Sequence, residues 1–388
     1  MIYVHVPFCR SFCTYCDFYS EVTSRCDDAW SDFSDALLRE LEARAGEITT
    51  DANTLYIGGG TPSVLPLSVF EDLLSALQAV GHGAPFDEFT LEVNPDDVVR
   101  KGHAYIEGLL KLGVNRISMG VQSFDDGILR WMNRRHDSAV ARKAYAILED
   151  AGVENISIDL IFGLPQMSDR DWQETLSRAV DISDRGKLPR HISSYQLSVE
   201  PGSALARMVE RGIWKEASDE LCERQYGILC ETLEASFGYH HYEISNFAQP
   251  GYEARHNSAY WKHVPYVGLG PGAHSLLIAH GHSVAPDDVS GCRFVRCWND
   301  PDLKRYMEDP SSVRGQETLT DEQVVMERIM LGLRTSAGLP ESFLRKHCDP
   351  RTLEKAVGSG NLVSTCGAHL RIPKEKFFVS DAIISALI

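Results

Sequence analysis

The sequence predicts an α/β fold: an incomplete (β/α)6 barrel followed by a small helical, winged-helix-like C-terminal domain. Three observations carry this. Short runs rich in β-branched residues alternate with amphipathic stretches through the first half of the chain, the pattern of βαβ units on a parallel sheet. These units fit six repeats better than eight. The polar and glycine-rich motifs fall just after expected strands, where barrels gather their functional residues.

Strands are expected at Ile2–Val6, Thr54–Ile57, Phe89–Val93, Arg116–Met119, Ile156–Phe162 and Ile192–Leu197. Amphipathic helices lie between them near Asp28–Ala45, Pro66–Ala79, Lys101–Lys111, Ser138–Ala151 and Asp169–Ile182. Beyond the barrel, Asp219–Leu233 reads as a helix, and an aromatic-rich stretch runs from Phe237 to Phe247. From about Pro286 the text turns polar and irregular, as a linker or insertion does. Thr318–Arg334 follows as a helix with a capping start at Thr320-Asp321-Glu322. Leu339–His347 and Arg351–Val357 are shorter helices, Leu362-Val363 and His369–Ile372 a small β pair, and Phe377–Ile388 a last apolar helix. The chain thus divides into a barrel (1–200), an extension (201–285) and a C-terminal unit (286–388) expected to cover the barrel mouth.

A length of 388 residues accommodates one large core plus a smaller appended unit. A net charge of −17 argues against a broad nucleic-acid surface. No 18 apolar residues run together, so no membrane span is expected, and peripheral attachment stays open. The start MIYVHVPFC lacks the pattern of a signal peptide. Ten cysteines without a disulfide framework point to a reducing compartment, with cytoplasm the default. Cys26, Cys222, Cys230, Cys292, Cys297, Cys348 and Cys366 read as structural or incidental, although Cys292 and Cys297 form a close pair.

Cys9, Cys13 and Cys16 stand apart, spaced Cys-x3-Cys-x2-Cys on the loop after strand one. Thiolates are the usual ligands of iron–sulfur clusters. Three ligands for a [4Fe-4S] cubane leave one iron free to bind something else. Buried unliganded cysteines are one alternative. Zinc is another, but its structural sites usually pair two ligand couples, and no second couple follows.

The remaining candidates follow later strands. Gly58-Gly59-Gly60-Thr61-Pro62 offers backbone freedom and amides for a carboxylate, or simply a tight turn. Glu92, near a strand end, suits a ribose or amine; the alternative is a solvated carboxylate. Tyr3 reads as core or ligand contact, and Tyr15, between two cysteines, as an adenine platform or a shield. Gln122, Arg134 and Asp159 form a polar group, or Arg134 and Asp159 a buried ion pair. Tyr195, Gln196 and Ser198 close strand six. His256-Asn257-Ser258-Ala259-Tyr260-Trp261 combines an imidazole with flat apolar rings, suited to an axial haem ligand or to a hydrogen-bonded core histidine. A glycine-rich loop, Gly268 to Ser275, follows and contains His274.

The cysteine spacing resembles the signature of the radical S-adenosylmethionine (SAM) enzymes. With Tyr3-x-His5-x-Pro7-Phe8-Cys9 ahead of it, the loop resembles that of the oxygen-independent coproporphyrinogen III oxidase-like proteins. The resemblance implies a [4Fe-4S] cluster whose open iron chelates SAM, and an electron that cleaves SAM to methionine and a 5′-deoxyadenosyl radical. It implies that Gly59, Gly60 and Thr61 contact the methionine part of SAM. It also places Gln122, Arg134 and Asp159 at a second SAM molecule, with Tyr195, Gln196 and Ser198 near substrate or second cofactor. His274 is then either a second ligand or part of a loop packed on the SAM site.

Two departures separate this chain from the oxidase itself. The oxidase motif adds a fourth cysteine where Phe18 stands here, and a longer segment precedes its cluster. His256-Asn257-x-x-Tyr260-Trp261 instead resembles the segment that sets apart the haem-chaperone branch. That branch implies haem as cargo, His256 as a haem contact, and haem-accepting apo-proteins as partners. An electron donor such as flavodoxin or ferredoxin is implied if SAM is cleaved, and a homodimer stays open. The alternatives are the oxidase reaction, giving protoporphyrinogen IX from coproporphyrinogen III, a radical SAM methyltransferase, and a haem-degrading enzyme.

Overall fold

The structure, a computed structural model, describes residues 1–17, 19–22, 29–49, 51–279, 293–310, 314–365 and 367–388. Its frame is a nine-stranded sheet. The six expected strands are all present: β1 (Ile2–Val6), β2 (Thr54–Gly59), β3 (Glu88–Val93), β4 (Arg116–Gln122), β5 (Ile156–Phe162) and β6 (His191–Gln196). They lie side by side and parallel. At one edge the hairpin β7 (His240–Glu243) and β8 (Asn246–Ala248) adds two antiparallel strands beside β6. At the other edge β9 (Val267–Leu269) pairs in parallel with β1.

β9 corrects the expectation of a plain glycine-rich loop. Three residues containing a glycine give no readable period. Yet Gly268 fits because a Cβ there would lie 2.0 Å from the carbonyl oxygen of His274. β2 and β4 also run further than expected, to Gly59 and Gln122.

Helices α1 (Ala29–Arg44), α2 (Leu67–Ala79), α3 (Pro95–Lys111), α5 (Ser138–Asp150) and α6 (Asp169–Val180) match the expected amphipathic stretches, and a short α4 (Asp126–Trp131) adds to them. α7 (Ala204–Glu210), α8 (Asp219–Cys230), at the helix expected from Asp219, and α9 (Arg255–Trp261) follow β6 in the chain. α3 begins six residues before its expected start. Pro95 occupies its first turn, where proline is tolerated, and Gly102 at φ 69° breaks the pattern inside it.

Strand periodicity explains the core. Ile2, Val4 and Val6, then Leu55 and Ile57, Phe89 and Leu91, Ile117 and Met119, and Ile156 and Ile158 are fully or nearly fully buried. They share one sheet face and pack with the apolar faces of α1 and α2, including Phe33, Leu37, Phe70 and Leu73. The alternate positions are polar: Tyr3, Tyr56, Glu92, Arg116, Ser118, Asp159 and Ser193. This interior differs from a filled barrel of branched apolar residues.

The stretch expected as a linker from Pro286 is ordered in its described part. A three-stranded sheet joins β10 (His274–Ile278), β11 (Phe294–Asn299) and β12 (Arg314–Thr318), and α10 (Leu303–Glu308) follows β11. Buried Glu40 on α1 clamps this segment. It accepts from Arg44 (2.7 Å), Asn299 (2.8 Å), Tyr306 (2.7 Å) and the Gly270 amide (2.8 Å). Pro286 itself and Cys292 lie outside the described residues, as do Phe18, Cys26 and Cys366.

The C-terminal unit holds α11 (Asp321–Gly332), α12 (Glu341–His347), α13 (Pro350–Gly358) and α14 (Ser380–Ser385) around a three-stranded sheet rather than a β pair. It docks on the β7 edge. The Ser336 amide donates to Tyr242 (2.9 Å), the Ile244 amide to Arg334 (3.1 Å), and Phe377 and Phe378 pack on His241 and Tyr226. Among the described residues, none from 293 to 388 lines the barrel cavity. No helix of the described residues is long and apolar enough to cross a membrane.

Glu243, on β7, is completely buried, and its Oε1 has no hydrogen-bond partner. Burial pushes its carboxyl up to about 7. A folded-state value above the unfolded one gives stability that is present below pH ~4.5 and lost as pH rises through about 7. Glu243→Gln should therefore gain on the native chain between pH 5 and pH 8, by at most about 3 kcal/mol. Urea denaturation of both proteins at the two pH values measures this difference.

Candidate functional site

The C-terminal ends of β1 to β6 open into one cavity of about 550 Å³. Its wall takes in Cys9, Cys13, Tyr15 and Cys16 from the first loop, Gly59, Gly60 and Thr61 from the second, and Glu92 and Asn94 from the third. Gln122, Arg134, Asp159, Tyr195, Gln196 and Ser198 complete it. Motifs scattered over nearly two hundred residues therefore share one space.

The cysteine loop is pinned from several sides. The Thr14 amide and hydroxyl donate to the carbonyls of Met132 (3.1 Å) and Trp131 (2.8 Å), and Asn133 Nδ2 donates to the Phe12 carbonyl (2.7 Å). Arg134 Nη1 donates to Cys13 Sγ at 3.3 Å, and Thr61 Oγ1 lies 3.5 Å from Cys9 Sγ. All three cysteines are half-buried. Among the described residues, no three His, Cys, Asp or Glu side chains converge as a single metal ion requires. Three thiols facing one cavity from one loop, with a guanidinium on one sulfur, suit a larger cluster, whose ligands sit further apart.

The triple glycine works differently from the expectation of free amides. The Gly60 amide donates to Val6 (2.8 Å), the Thr61 amide to Phe8 (2.7 Å), and the Gly59 amide to Glu92 Oε2 (3.2 Å). The amides thus lock the end of β2 to the cysteine strand. Gly59 has φ 105°, and a Cβ there would lie 2.6 Å from the His5 ring. At Gly60 a Cβ would meet the Phe8 carbonyl oxygen at 2.7 Å. Here glycine serves close approach of two backbones.

Glu92 is held by Tyr56, whose hydroxyl donates to Oε1 at 2.6 Å. Burial pushes its carboxyl up to about 7, and Asp159 adds to the rise, while the Tyr56 and Gly59 hydrogen bonds oppose it. Asp159 accepts from Ser118 Oγ at 3.0 Å, and burial raises it too. Arg134 does not pair with it, contrary to one expectation. Its Nη2 donates to Asn94 Oδ1 and the Gly120 carbonyl, both at 2.6 Å. Gln122 has φ 69° beside a register irregularity in β4, an unusual backbone for a residue with a Cβ.

Three expected site residues lie elsewhere. Tyr3 sits behind the wall, its hydroxyl 3.0 Å from His5 Nδ1, and does not line the cavity. His274 is exposed on β10 and stacks on Trp298, because the glycine turn carries it away from the barrel. His256 is fully buried at the start of α9 (Arg255–Trp261). Its Nδ1 lies 2.8 Å from Thr54 Oγ1 and its Nε2 3.0 Å from Tyr260 OH. Both ring nitrogens are engaged, and burial lowers the imidazole to about 3. Of the two readings of this residue, the one seen here is the hydrogen-bonded core histidine.

Glu88, at the start of β3, accepts the amides of Arg255 (2.7 Å) and His256 (3.0 Å), so α9 caps the bottom of the barrel. From there Asn257, not His256, lines the cavity. The residues that sequence reasoning passed over are Tyr56, Arg116, Ser118 and Ser193. Their signal was present: polar residues alternate with Ile117 and Met119 along β4.

Gly59→Ala should cost about 2 kcal/mol or more of stability, from positive φ plus the clash with His5. Chemical denaturation tests this. Gly81→Ala, also at positive φ but with nothing within 4 Å of its Cβ, isolates the clash.

Residues 3–179 match the radical SAM superfamily. The haem chaperone HemW of Synechocystis sp. is 34% identical over 87% of this chain and 78% of its own length. HemW of Bacillus subtilis is 32% identical over 89% and 86%, respectively. A mitochondrial radical S-adenosyl methionine domain-containing protein 1 of Danio rerio is 30% identical over 96% and 81%. Among solved structures, coproporphyrinogen III oxidase (HemN) from Escherichia coli matches with a TM-score of 0.76 at 21% identity, covering 99% of this chain and 89% of its own, a likeness of fold. With its cysteine loop, parallel partial barrel and near full-length likeness to these chaperones, the chain belongs to the HemW family within the radical SAM superfamily.

Proposed function

We propose that this protein is a haem chaperone that binds a [4Fe-4S] cluster, SAM and haem and passes haem to recipient apo-proteins. The observation that carries this reading is a pairing: a chain similar over 87% of its length to a haem chaperone, in which the cysteine loop and the HNxxYW helix border one cavity. Cys9, Cys13 and Cys16 would hold the cluster. When bound, it supplies an open coordination position and one electron to SAM.

The chain's own residues have defined tasks in this reading. Arg134 donates a hydrogen bond to the Cys13 sulfur and so holds it in place at the cavity wall. Gly59, Gly60, Thr61 and Glu92 shape the side of the cavity nearest the cluster, and Glu92 accepts a proton or a donor there. Tyr15 offers a flat face. Gln122, Asp159 and Ser198 line the cavity as well, open to the rest of SAM or to a second ligand. His256 holds α9 in place rather than ligating iron.

Anaerobically reconstituted protein titrated with haem should bind saturably near one haem per chain and then lose it to an apo-haemoprotein. No saturable binding, with protoporphyrinogen IX formed from coproporphyrinogen III, would move the assignment to the oxidase reaction. Cys13→Ser should abolish the cluster absorbance with little change in far-UV circular dichroism. His256→Ala should lower global stability by about 2 kcal/mol, because Thr54 and Tyr260 lose a buried partner. Selective loss of haem at unchanged stability would contradict the structural role given to His256.

A further inference from the structure

Arg116 is the first residue of β4 and lies at the bottom of the cavity, only 2% exposed. Its Nε has no hydrogen-bond partner. The carboxyls nearest in charge, Glu92 and Asp159, direct their hydrogen bonds elsewhere, to Tyr56 and Gly59 and to Ser118. Among the described residues, Glu92 and Asp159 balance it in charge but none hydrogen-bonds its Nε, and a buried donor left so is costly unless a partner is supplied. Asn257 lines the same floor from the HNxxYW helix.

We propose that Arg116, beside Asn257, is a carboxylate-binding subsite at the cavity floor. This rests on the reading of the cavity as a SAM and tetrapyrrole site, because both ligands carry carboxylates. A guanidinium suits a carboxylate through paired N–H donors, and the burial of Arg116 limits the water that would screen it. Glu92 and Asp159 direct their hydrogen bonds to Tyr56, Gly59 and Ser118, which leaves the Arg116 Nε for a further acceptor. The subsite also gives the HNxxYW segment a contact with ligand that its histidine cannot make.

The test uses the full chain with its cluster reconstituted, in three forms: unmodified, Arg116→Gln and Arg116→Lys. Each is titrated with SAM, with haem, and with haem dimethyl ester, which lacks free propionates. The expected result is a weakening of about tenfold or more for a carboxylate ligand in Arg116→Gln, partly restored in Arg116→Lys. If the carboxylate is a propionate, the unmodified protein prefers haem to its ester and Arg116→Gln loses that preference. If it is the amino-acid end of a second SAM molecule, one not bound at the cluster, SAM affinity falls and the haem-to-ester ratio stays put. Arg116→Gln binding SAM and haem like the unmodified protein, with cluster absorbance and circular dichroism intact, overturns the subsite. Should that variant not fold, an unmodified protein indifferent to esterification, together with Arg116→Lys of unchanged SAM affinity, overturns it equally. Failure of the unmodified protein to bind haem counts against the chaperone reading alone, and the SAM titration then decides the role of Arg116.

Discussion

Arg134 ties the cavity together. One guanidinium donates to the Cys13 sulfur, to the Asn94 side chain and to the Gly120 carbonyl, and so fastens the loops after β1, β3 and β4 to one another. Planar, fixed donors allow a single side chain to do this, which a lysine could not. The cysteine loop carries almost no secondary structure of its own, and without such ties its thiols would have no common orientation. Gly59 and Gly60 complete the arrangement by letting the end of β2 lie against the same loop.

A second constraint is the polarity of the barrel interior. Each strand buries its apolar residues against the surrounding helices and turns serines, carboxyls and a guanidinium inward. Such a space stays open because its groups need partners that branched side chains do not offer. The carboxyls respond by rising: Glu92 reaches about 7 in this setting. The cavity is thus a place where charge is finely balanced, with cations at both its mouth and its floor.

The floor gives the HNxxYW segment a structural meaning. His256 locks α9 to β2 through Thr54, packs at a tilt against Tyr56, and meets Tyr260. Tyr56 in turn holds Glu92, which takes the Gly59 amide beside the cysteine strand. A continuous set of contacts therefore runs from the HNxxYW helix to the cluster loop.

Much was legible in the sequence because its signals are local. Strand and helix periods follow from the backbone repeat, so six strands and their helices could be placed within a few residues. The Cys-x3-Cys-x2-Cys spacing and the residues after each strand marked the cavity wall, since parallel strands bring their C-terminal ends together wherever they lie in the chain. Three things were decided only by tertiary structure. β9 joined the sheet because a neighbour supplied hydrogen bonds that three residues could not signal. His256 took a hydrogen-bonded core position and His274 an exposed one beside Trp298, because a side chain's partners depend on what packs beside it. Arg116 became the cavity's buried cation because one-in-two alternation on β4 turned it inward, and only the surrounding strands left its Nε there without a hydrogen-bond partner.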